Sequence, residues 1–504
     1  MSGLLSTGLD LRFGVVSFFC LLLGLQLYRY LYNAFVHPLR RFAGPNLASV
    51  SCLPKIFHAL RGDEYLWLLE LHRQYGEVVR VTPNELSFAS ADAWKDIYGH
   101  RKAGQPGLIK DPSFYTHPGE ESRHLANAEG EVHARQRRIF AHAFSDRALK
   151  LQEPLFLTFV NKLIVSMRRS IMADPEHKFN MVNQYNYTTF DIMGDLTFGE
   201  PLDMLENGDY HPWVAAIFAN FRFGTILHCI VYYPILLHTL KMFVPPSIRE
   251  KQKLHKEFSH ARVDRRLEKR DARPDIWGLV LEKEGSTLGL SKKEMYSNGN
   301  IFMIAGTETT ATLLSGLTFH LLKNPAKMDR LTHEIRSAFA TDEDITIERL
   351  QALRYLHACI EEGLRMYPPV TNGLPRIVPP GGAMIDGHEV PGGTQVYVSP
   401  FATYRNQRNF LHADSFIPER WLSESGEFTG DKKHALQPFS TGPRVCLGRN
   451  MAYHEIRLIL SKLLWNFDLR LCAESSLWNE QNVFIMWDKG PLFCQVRQVQ
   501  RQTT

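Results

Sequence analysis

The feature that most constrains this chain is a ten-residue stretch near its carboxyl terminus, FSTGPRVCLG at residues 439–448. One phenylalanine, two glycines, one arginine and one cysteine stand there at fixed spacing, in the pattern F-x-x-G-x-R-x-C-x-G. Because individual residue frequencies are a few per cent, five such positions coincide by accident in roughly one chain in ten thousand of this length. A lone cysteine is usually a buried structural residue. In this stretch Cys446 instead predicts a binding site.

Each fixed position has a chemical reason if the bound group is a haem. Cys446 provides a soft, electron-rich thiolate, which favours O–O cleavage when it ligates haem iron. Gly442 and Gly448 let the backbone turn sharply and approach a flat macrocycle, since neither carries a Cβ. Arg444 can pair with a haem propionate, and Phe439 offers an aromatic wall to the porphyrin. The stretch therefore predicts a haem site with Cys446 as the axial ligand of the iron.

The loop resembles the haem-binding loop of the cytochrome P-450 superfamily, and the resemblance extends over nearly all of the chain. It implies a monooxygenase with haem b (iron protoporphyrin IX) as its cofactor. The implied fold is the mainly α cytochrome P-450 fold with small β-sheets, in which a single haem domain surrounds a long central helix. A chain of 504 residues without repeats or low-complexity linkers is compatible with one such domain.

A second landmark is the sequence AGTETT at residues 305–310, which resembles the oxygen-activation signature of the family. By this resemblance, Thr309 is the hydroxyl that steadies dioxygen and Glu308 is the acid that relays protons. Ala305 and Gly306 are small where oxygen and substrate must approach. Outside such a motif, the same residue types in mid-helix would usually be a back-bonded hydroxyl and a surface charge.

A third landmark is Glu362-Gly363-Leu364-Arg365, which matches the E-x-x-R of the family. The spacing puts the acid and the base on one face of a helix, as in many surface ion pairs. Arg420 matches the third member of the buried Glu-Arg-Arg network of the family. The resemblance therefore gives Glu362, Arg365 and Arg420 a structural role, in which they fix the segment that leads to the Cys446 loop.

Three further basic positions resemble ligands of the haem propionates, namely His133, Arg137 and Arg376. His133 departs from the commoner pattern, because many members of the family have a tryptophan at this position. An ordinary histidine on a helix surface is the alternative for His133.

The body of the chain is predicted to be mostly helical, with a few short strands. Periodicity near 3.6 predicts helices at Tyr65–Tyr75, Glu131–Phe144, Pro154–Met172 and Thr188–Thr197. Alternation predicts strands at Val78–Val81, Leu86–Ala89, Ala383–Ile385 and Gln395–Val398. The long central helix should begin after Ser291, which forms a capping box with Glu294, and end near Pro325.

The amino terminus is predicted to be a membrane anchor. An apolar and aromatic segment of roughly 24 residues is long enough to cross about 30 Å of hydrocarbon, and the basic residues after it should stay in the cytoplasm. The predicted organisation is a lumenal terminus at 1–12, a transmembrane helix at 13–36, a basic linker at 37–45 and the haem domain at 46–504. A cleaved signal peptide is the alternative, but no basic leader precedes the apolar run. A single-pass protein of the endoplasmic reticulum membrane with a cytoplasmic catalytic domain is expected.

Charge and cysteine content exclude several other classes of protein. The formal net charge of +5 is a small excess of 58 basic over 53 acidic residues, which does not imply nucleic acid binding. The seven cysteines are scattered and contain no C-x-x-C pair, so neither a disulfide framework nor a zinc site is indicated. A monomer in a reducing compartment is expected.

The resemblance also predicts partners and a substrate pocket. Only 56 residues follow Gly448, so no reductase is fused here, and a membrane-bound NADPH-cytochrome P-450 reductase should supply electrons, with cytochrome b5 as a further candidate donor. The predicted docking patch consists of Arg135, Arg138, Lys432, Lys433, Arg449 and Arg457.

The substrate-contacting segments of the family correspond to residues 103–127, 302–309, 370–374 and 483–486 of this chain. Their apolar members, Phe302, Val370, Leu374, Phe484 and Ile485, suit a lipophilic substrate, and Phe218, Phe221 and Phe223 could form a roof.

The stretches at residues 37–45 and 187–201 resemble those of filamentous-fungal enzymes that tailor polyketides, terpenoids or alkaloids. Hydroxylation is the default reaction, with epoxidation, multistep oxidation and oxidative coupling as alternatives on the same chemistry. A haem-thiolate isomerase or dehydratase typically loses the Thr309 machinery, which is intact here. A non-catalytic haem sensor, which needs no reductase, is the remaining alternative.

Overall fold

The computed structural model describes residues 3–101, 106–115, 122–233, 246–269, 273–281, 289–422 and 426–500. Most of them are helical, as predicted. Helices of the amino-terminal half are Gly3–Phe35, Asn46–Val50, Leu53–Arg61, Glu64–Tyr75, Ala93–Tyr98, Pro112–Tyr115, Gly130–Ala141, Asp146–Ala173, Met181–Phe198, Met204–Asn207 and Pro212–Val231. Helices of the other half are Pro246–Glu268, Ile276–Leu281, Lys292–Leu322, Pro325–Ala338, Ile347–Leu350, Arg354–Met366, Pro400–Tyr404 and Arg449–Asn466.

The helix Lys292–Leu322, here called the central helix, contains 31 residues and is about 46 Å long. Its predicted start is confirmed, because the Ser291 hydroxyl accepts a hydrogen bond from the Glu294 N–H at 3.3 Å and the Glu294 carboxylate accepts one from the Ser291 N–H at 2.9 Å. The helix packs most extensively against Met181–Phe198. A Cβ on Gly306 would lie 2.7 Å from the Met193 sulfur, so a larger residue there would require the Met193 side chain to move.

Helix starts were harder to predict than helix positions. The predicted segment Pro154–Met172 lies within a helix that begins eight residues earlier, at Asp146. Ser145 caps that helix by accepting a hydrogen bond from the Ala148 N–H. Pro154 lies inside the helix, although proline is most common in a first turn.

The main sheet has five strands in the order β1-β2-β8-β5-β3. These strands are β1 (Val78–Thr82), β2 (Glu85–Phe88), β3 (Ile109–Lys110), β5 (Arg376–Ile377) and β8 (Gln395–Val398). The pair β2 and β8 is parallel, and the other three pairs are antiparallel. The sheet brings Lys110 opposite Arg376, so two basic residues far apart in the chain become neighbours.

Three smaller sheets complete the fold. One joins β4 (Lys178–Asn180), β12 (Phe493–Gln498) and β9 (Phe467–Leu471), and two are hairpins. The hairpins are β6 (Ala383–Ile385) with β7 (His388–Val390), and β10 (Val483–Phe484) with β11 (Met486–Trp487). The predicted mainly α class with small β-sheets is confirmed.

The amino-terminal segment is helical over Gly3–Phe35, which includes nearly all of the predicted span 13–36. Leu21, Leu23 and Leu25 are more than half exposed along it. By length and composition, the described helix that could cross a membrane is Pro212–Val231, with a quarter of its most apolar stretch buried.

Candidate active site

A deep cavity lies between the central helix and the Cys446 loop. The central helix contributes Phe302, Ala305, Gly306, Thr309 and Thr310 to its lining. The opposite wall consists of the loop itself and the first turns of Arg449–Asn466, here called the proximal helix. From that wall come Phe439, Arg444, Cys446, Gly448, Met451, Ala452, Glu455 and Ile456. The fold thus places the two predicted motifs on facing walls.

Cys446 is exposed, and it lines this cavity. Burial raises the pKa of its thiol above the ordinary value. A hydrogen bond from the Gly448 N–H and the charges of Arg137 and Arg449 act in the opposite direction. The Gly448 N–H, Arg137 and Arg449 therefore favour the thiolate, the form that a metal ligand requires.

The two glycines of the loop serve different purposes. Gly442 has a φ of +72°, and a Cβ there would lie 2.2 Å from the carbonyl oxygen of Tyr98. Its missing side chain therefore permits a close approach to protein backbone, where the sequence had suggested an approach to the macrocycle. A Cβ at Gly448 would meet only Phe144, at 3.9 Å, and Gly448 faces the cavity.

Basic side chains cluster at one end of the cavity. Lys110, His133, Arg137 and Arg444 line it. The fifth basic residue, Arg376, is buried and donates a hydrogen bond to the Tyr115 hydroxyl at 3.0 Å. His133 is buried within its helix, which disfavours the alternative of a surface histidine.

The charges in this cluster are poorly compensated by the protein. Glu129 pairs with Arg444 at 2.9 Å, but Nη1 of Arg444 is buried without a partner among the described residues. Burial and the neighbouring arginines lower the pKa of Lys110 to about 7, and burial and the same cluster lower that of His133 to about 4. The cluster is therefore preorganised for an anionic group.

Thr309 and Glu308 lie on different faces of the central helix. The Thr309 side chain lines the cavity and donates a hydrogen bond to the Ala305 carbonyl oxygen at 2.7 Å. Glu308 points to a second cavity, which Asn183, Asn186 and Tyr210 also line. Adjacent residues on a helix are about 100° apart, so the side chains of Glu308 and Thr309 leave the helix in different directions.

Glu308 is held in place at the second cavity. Its carboxylate forms an ion pair with Lys489, and both side chains are almost completely buried. Thr312 donates a hydrogen bond to Glu308 at 3.2 Å and accepts one from Lys489 at 2.6 Å. Glu308 is not among the described residues that line the cavity with Cys446.

The predicted Glu-Arg-Arg network is fully assembled and fully buried. Arg365 donates to the two carboxylate oxygens of Glu362 at 2.9 and 2.7 Å, and Arg420 donates to one of them at 3.3 Å. Burial by itself would raise the pKa of Glu362, but the two arginines and the Ile417 N–H outweigh it and lower that pKa. Arg365 also donates to the Tyr404 carbonyl at 2.8 Å, which connects the network to the segment before the cysteine loop.

The predicted substrate residues divide between the two cavities. Phe302, Val370 and Leu374 line the cavity that contains Cys446. Phe484 lines the second cavity, together with the roof residues Phe218 and Phe221, and Ile485 and Phe223 line neither. Of the predicted segment 103–127, residues 103–105 and 116–121 lie outside the described part of the chain.

Comparison with known proteins agrees with this arrangement. The family model for cytochrome P-450 matches residues 45–494. The chain belongs to the cytochrome P-450 family. The predicted family and enzyme class are thereby confirmed, and the protein is a cytochrome P-450 monooxygenase.

Similar fungal proteins cover almost the whole chain. The cytochrome P-450 monooxygenase efuB of Hormonema carpetanum is 47% identical over 478 residues, 94% of this chain and 95% of the relative. The cytochrome P-450 monooxygenase FUM2 of Gibberella moniliformis is 46% identical, over 92% of this chain and 98% of its own length. The cytochrome P-450 monooxygenase astJ of Aspergillus oryzae is 43% identical, over 95% of this chain and 96% of its own length.

Cytochrome P-450 enzymes carry a haem, and the residues present fit one. A haem has two propionates, which suit the uncompensated cations around Arg444. Its flat apolar faces suit the small Ala305 and Gly306 on one wall and Phe439 on the other. Cys446 supplies the single soft ligand.

Three residues that line these cavities were not singled out by sequence reasoning, namely Lys110, Glu455 and Lys489. Glu455 follows Cys446 by nine residues, so a helix after the loop predicts that the two share one wall. Lys110 belongs to the predicted substrate segment 103–127, but its place beside Arg376 depends on strand pairing. No local signal brings Lys489 to Glu308, because the two residues are 181 positions apart.

Proposed function

We propose that this protein is a membrane-anchored haem-thiolate monooxygenase of fungal secondary metabolism. Its substrate would be a lipophilic polyketide, terpenoid or alkaloid intermediate, into which it inserts one oxygen atom by hydroxylation or epoxidation, with further oxidation of the same carbon as an extension. One observation supports this most strongly. Cys446 and the apolar Phe302, Val370 and Leu374 line the same cavity, with Thr309 on the facing wall.

In this proposal, Cys446 would bind the iron of haem b through its thiolate. The propionates would be held by His133, Arg137, Arg376 and Arg444, assisted by Lys110. When bound, the haem supplies the redox chemistry that activates dioxygen. Thr309 would orient dioxygen from the opposite wall.

Glu308 would act as a proton relay at a distance. Its free carboxylate oxygen has no partner among the described residues, and its other oxygen is held by Lys489 and Thr312. Because Glu308 faces the second cavity, it would collect protons from that side of the central helix and pass them on when its side chain turns.

The anchor and the domain organisation belong to the same proposal. Residues 1–12 would be lumenal, 13–36 would cross the endoplasmic reticulum membrane once, and 37–45 would link the anchor to a cytoplasmic haem domain at 46–504. Exposed leucines along Gly3–Phe35 support a lipid partner for this helix.

Electrons would come from NADPH through cytochrome P-450 reductase, with cytochrome b5 as an optional second donor to a monomeric enzyme. Of the six residues in the docking patch, Arg138, Lys433 and Arg449 are exposed, and Arg135, Lys432 and Arg457 are half-buried. Arg135 is also engaged with Glu294. Charge reversal of Lys432 and Lys433 should slow reductase-driven turnover several-fold and spare peroxide-driven turnover. Equal losses in both assays would contradict this docking site.

The decisive experiment combines spectroscopy with product analysis. Microsomes that contain this protein and the reductase are incubated with candidate pathway intermediates, and the products are identified by mass. A gain of one oxygen, lost in Cys446→Ser together with the spectrum of thiolate-ligated haem, supports the proposal. An isomeric product without added oxygen, or a thiolate spectrum that survives in Cys446→Ser, would contradict it.

A further inference from the structure

The second cavity, on the side of the central helix that Glu308 faces, has a volume of about 580 Å³. Ligand sites in proteins commonly have this size. Polar residues reach it from the helix Met181–Phe198 and from the segment after β11. Aromatic side chains form much of its described wall, namely Tyr210, Phe218, Phe221, Phe484 and Trp487. The cavity therefore combines apolar walls with a small number of polar groups, as small-molecule sites do.

The charged side chains in the described wall compensate one another. Glu308 forms a buried ion pair with Lys489. Arg222 forms an exposed ion pair with Asp488 at 2.5 Å. A charged ligand would therefore meet no uncompensated counterion among the described lining residues, and burial of an unpaired charge is costly. The occupant that fits this wall is neutral.

Two buried oxygen atoms in the wall have no hydrogen-bond partner among the described residues. One is Oε2 of Glu308, whose other oxygen is held by Lys489 and Thr312. The second is Oδ1 of Asn186. Glu308 is 1% exposed and Asn186 is 2% exposed. Buried polar atoms are almost always paired, so two unpartnered acceptors in one cavity wall indicate a ligand that donates hydrogen bonds.

A chain of hydrogen bonds determines which atom of the Asn186 amide is left over. The Gly208 carbonyl can only accept, so the Tyr187 hydroxyl donates to it at 3.2 Å and accepts from Nδ2 of Asn183 at 3.3 Å. Oδ1 of Asn183 then accepts from the Tyr210 hydroxyl at 3.2 Å. Tyr210 has no second proton, so it accepts from Nδ2 of Asn186 at 2.6 Å. Oδ1 of Asn186 is thereby the atom that remains as an acceptor.

We propose that the second cavity is a binding site for a neutral small molecule with an apolar body and two hydroxyl groups. One hydroxyl donates to Oε2 of Glu308 and the other to Oδ1 of Asn186, while the body contacts the aromatic wall. An amine fits less well, because it is protonated at neutral pH and brings a second cation beside Lys489. The described linings of this cavity and of the cavity that contains Cys446 share no residue, so the two sites are separate.

Calorimetric titration of the haem-loaded protein tests the ligand class. The probes are the ortho, meta and para isomers of benzenedimethanol, whose two hydroxyl groups differ in spacing. At least one isomer should bind saturably, with a dissociation constant of about 1 mM or below. Its dimethyl ether, which keeps the body and loses both donors, should bind roughly tenfold more weakly. Failure of all three isomers to saturate, equal affinity of diol and ether, or tighter binding of the corresponding diamine would overturn the proposal.

A ligand of haem iron tests the location. Phenylimidazole is added until the iron is saturated, and the titration with the diol is repeated. The affinity for the diol should be unchanged, because the second cavity is separate from the cavity that contains Cys446. Competition between the two compounds would place the diol beside the iron. That result would overturn the proposal while the monooxygenase function stands.

Two variants of the wall separate the acceptor from the apolar surface. Asn186→Leu removes the unpartnered oxygen, and it should weaken binding of the diol about fivefold while the ether binds as before. Phe221→Ala removes part of the aromatic wall, and it should weaken diol and ether alike, by about fivefold. Phe221→Ala serves as the test if Asn186→Leu does not fold, and unchanged binding of both compounds to it would overturn the proposal.

Exposed residues outside the cavity lining provide matched controls. Asn479 is exposed, and Phe57 is 59% exposed. Asn479→Leu and Phe57→Ala should both bind the diol and the ether as wild type does. Equal weakening of diol and ether in Asn186→Leu would show that the Asn186 oxygen accepts no hydrogen bond from the diol, and would overturn the proposal.

Discussion

Glu362 and Glu455 are the same residue type at the same burial, and their carboxyl groups are shifted in opposite directions. Glu362 is completely buried, meets Arg365 and Arg420, and has a lowered pKa. Glu455 is 1% exposed, meets no cation among the described residues, and has a pKa raised to about 8. Burial favours the neutral form in both. The partners alone decide which form is stable.

This difference separates a structural acid from one that can exchange protons. Glu362 stays charged over the physiological range, because each of its oxygens accepts hydrogen bonds from groups that are fixed by the fold. Burial raises the pKa of Glu455 to about 8, and the Thr310 hydroxyl opposes this shift only in part. Glu308 meets one cation among the described residues, Lys489.

The largest effect is expected when Glu362 loses its main partner. Arg365→Ala should lower the free energy of unfolding by about 3 to 5 kcal/mol, because it leaves a carboxylate buried with incomplete compensation. Urea unfolding of the haem-loaded protein measures this. A change below 1 kcal/mol would mean that the network does not stabilise the fold.

The pH dependence of stability should distinguish the two acids. Between roughly pH 4.5 and 8 the folded protein keeps a proton on Glu455 that the unfolded chain has released, so the free energy of unfolding falls as pH rises through this window. Glu455→Gln should remove this slope and be the more stable protein at pH 8, by up to about 4 kcal/mol, since one pKa unit corresponds to about 1.4 kcal/mol. Urea midpoints at pH 5, 6, 7 and 8 provide the test, and parallel curves for the two proteins would contradict it.

Glu362 should behave in the opposite sense. Its lowered pKa means that its contribution to stability is present above its ordinary value of 4.5 and is lost as pH falls through the folded pKa. Acid unfolding should therefore depend on Glu362, whereas the loss of stability toward pH 8 should depend on Glu455.

Lys489→Met tests the intermediate case. It leaves Glu308 buried without its cation and should lower the free energy of unfolding by about 3 kcal/mol. The double variant Lys489→Met with Glu308→Gln should recover part of the loss, because no charge is then stranded. Simple additivity of the two single changes would show that the pair is not coupled.

The smallest effect is expected at the surface. Lys150→Ala removes the partner of Glu348 in an exposed ion pair with a distance of 3.1 Å. The free energy of unfolding should change by less than about 0.5 kcal/mol, since solvent screens such pairs. A larger change would contradict the comparison, because an exposed ion pair would then stabilise the fold as much as a buried one.

Much of the fold was predictable from local signals. The capping box at Ser291 fixed the start of the central helix, and alternation located the strands Ala383–Ile385 and Gln395–Val398 with their observed bounds. The start of Asp146–Ala173 was missed, because Pro154 resembles a first-turn residue.

The candidate site was predictable where spacing along one element is sufficient. Cys446, Arg444 and Gly448 belong to one loop, and Thr309 and Ala305 to one helix face, so sequence distance determined their proximity. Lys110 reaches the cluster through the pairing of β3 with β5, and Lys489 reaches Glu308 from a segment 181 residues later. Such contacts have no local signature.

By itself, then, the sequence determined the family, the thiolate loop and the acid and hydroxyl of the central helix, because each depends on residues that are close in the chain. The tertiary structure decided what those residues face. It turned Glu308 toward Lys489 and the second cavity and surrounded Glu362 with arginines. It left Glu455 in the wall of the cavity that contains Cys446, without a charged partner in the part of the chain that the structure describes. The physical reason is that the charge state of a buried carboxyl depends on the groups that packing brings within a few ångströms, and packing is a property of the whole chain.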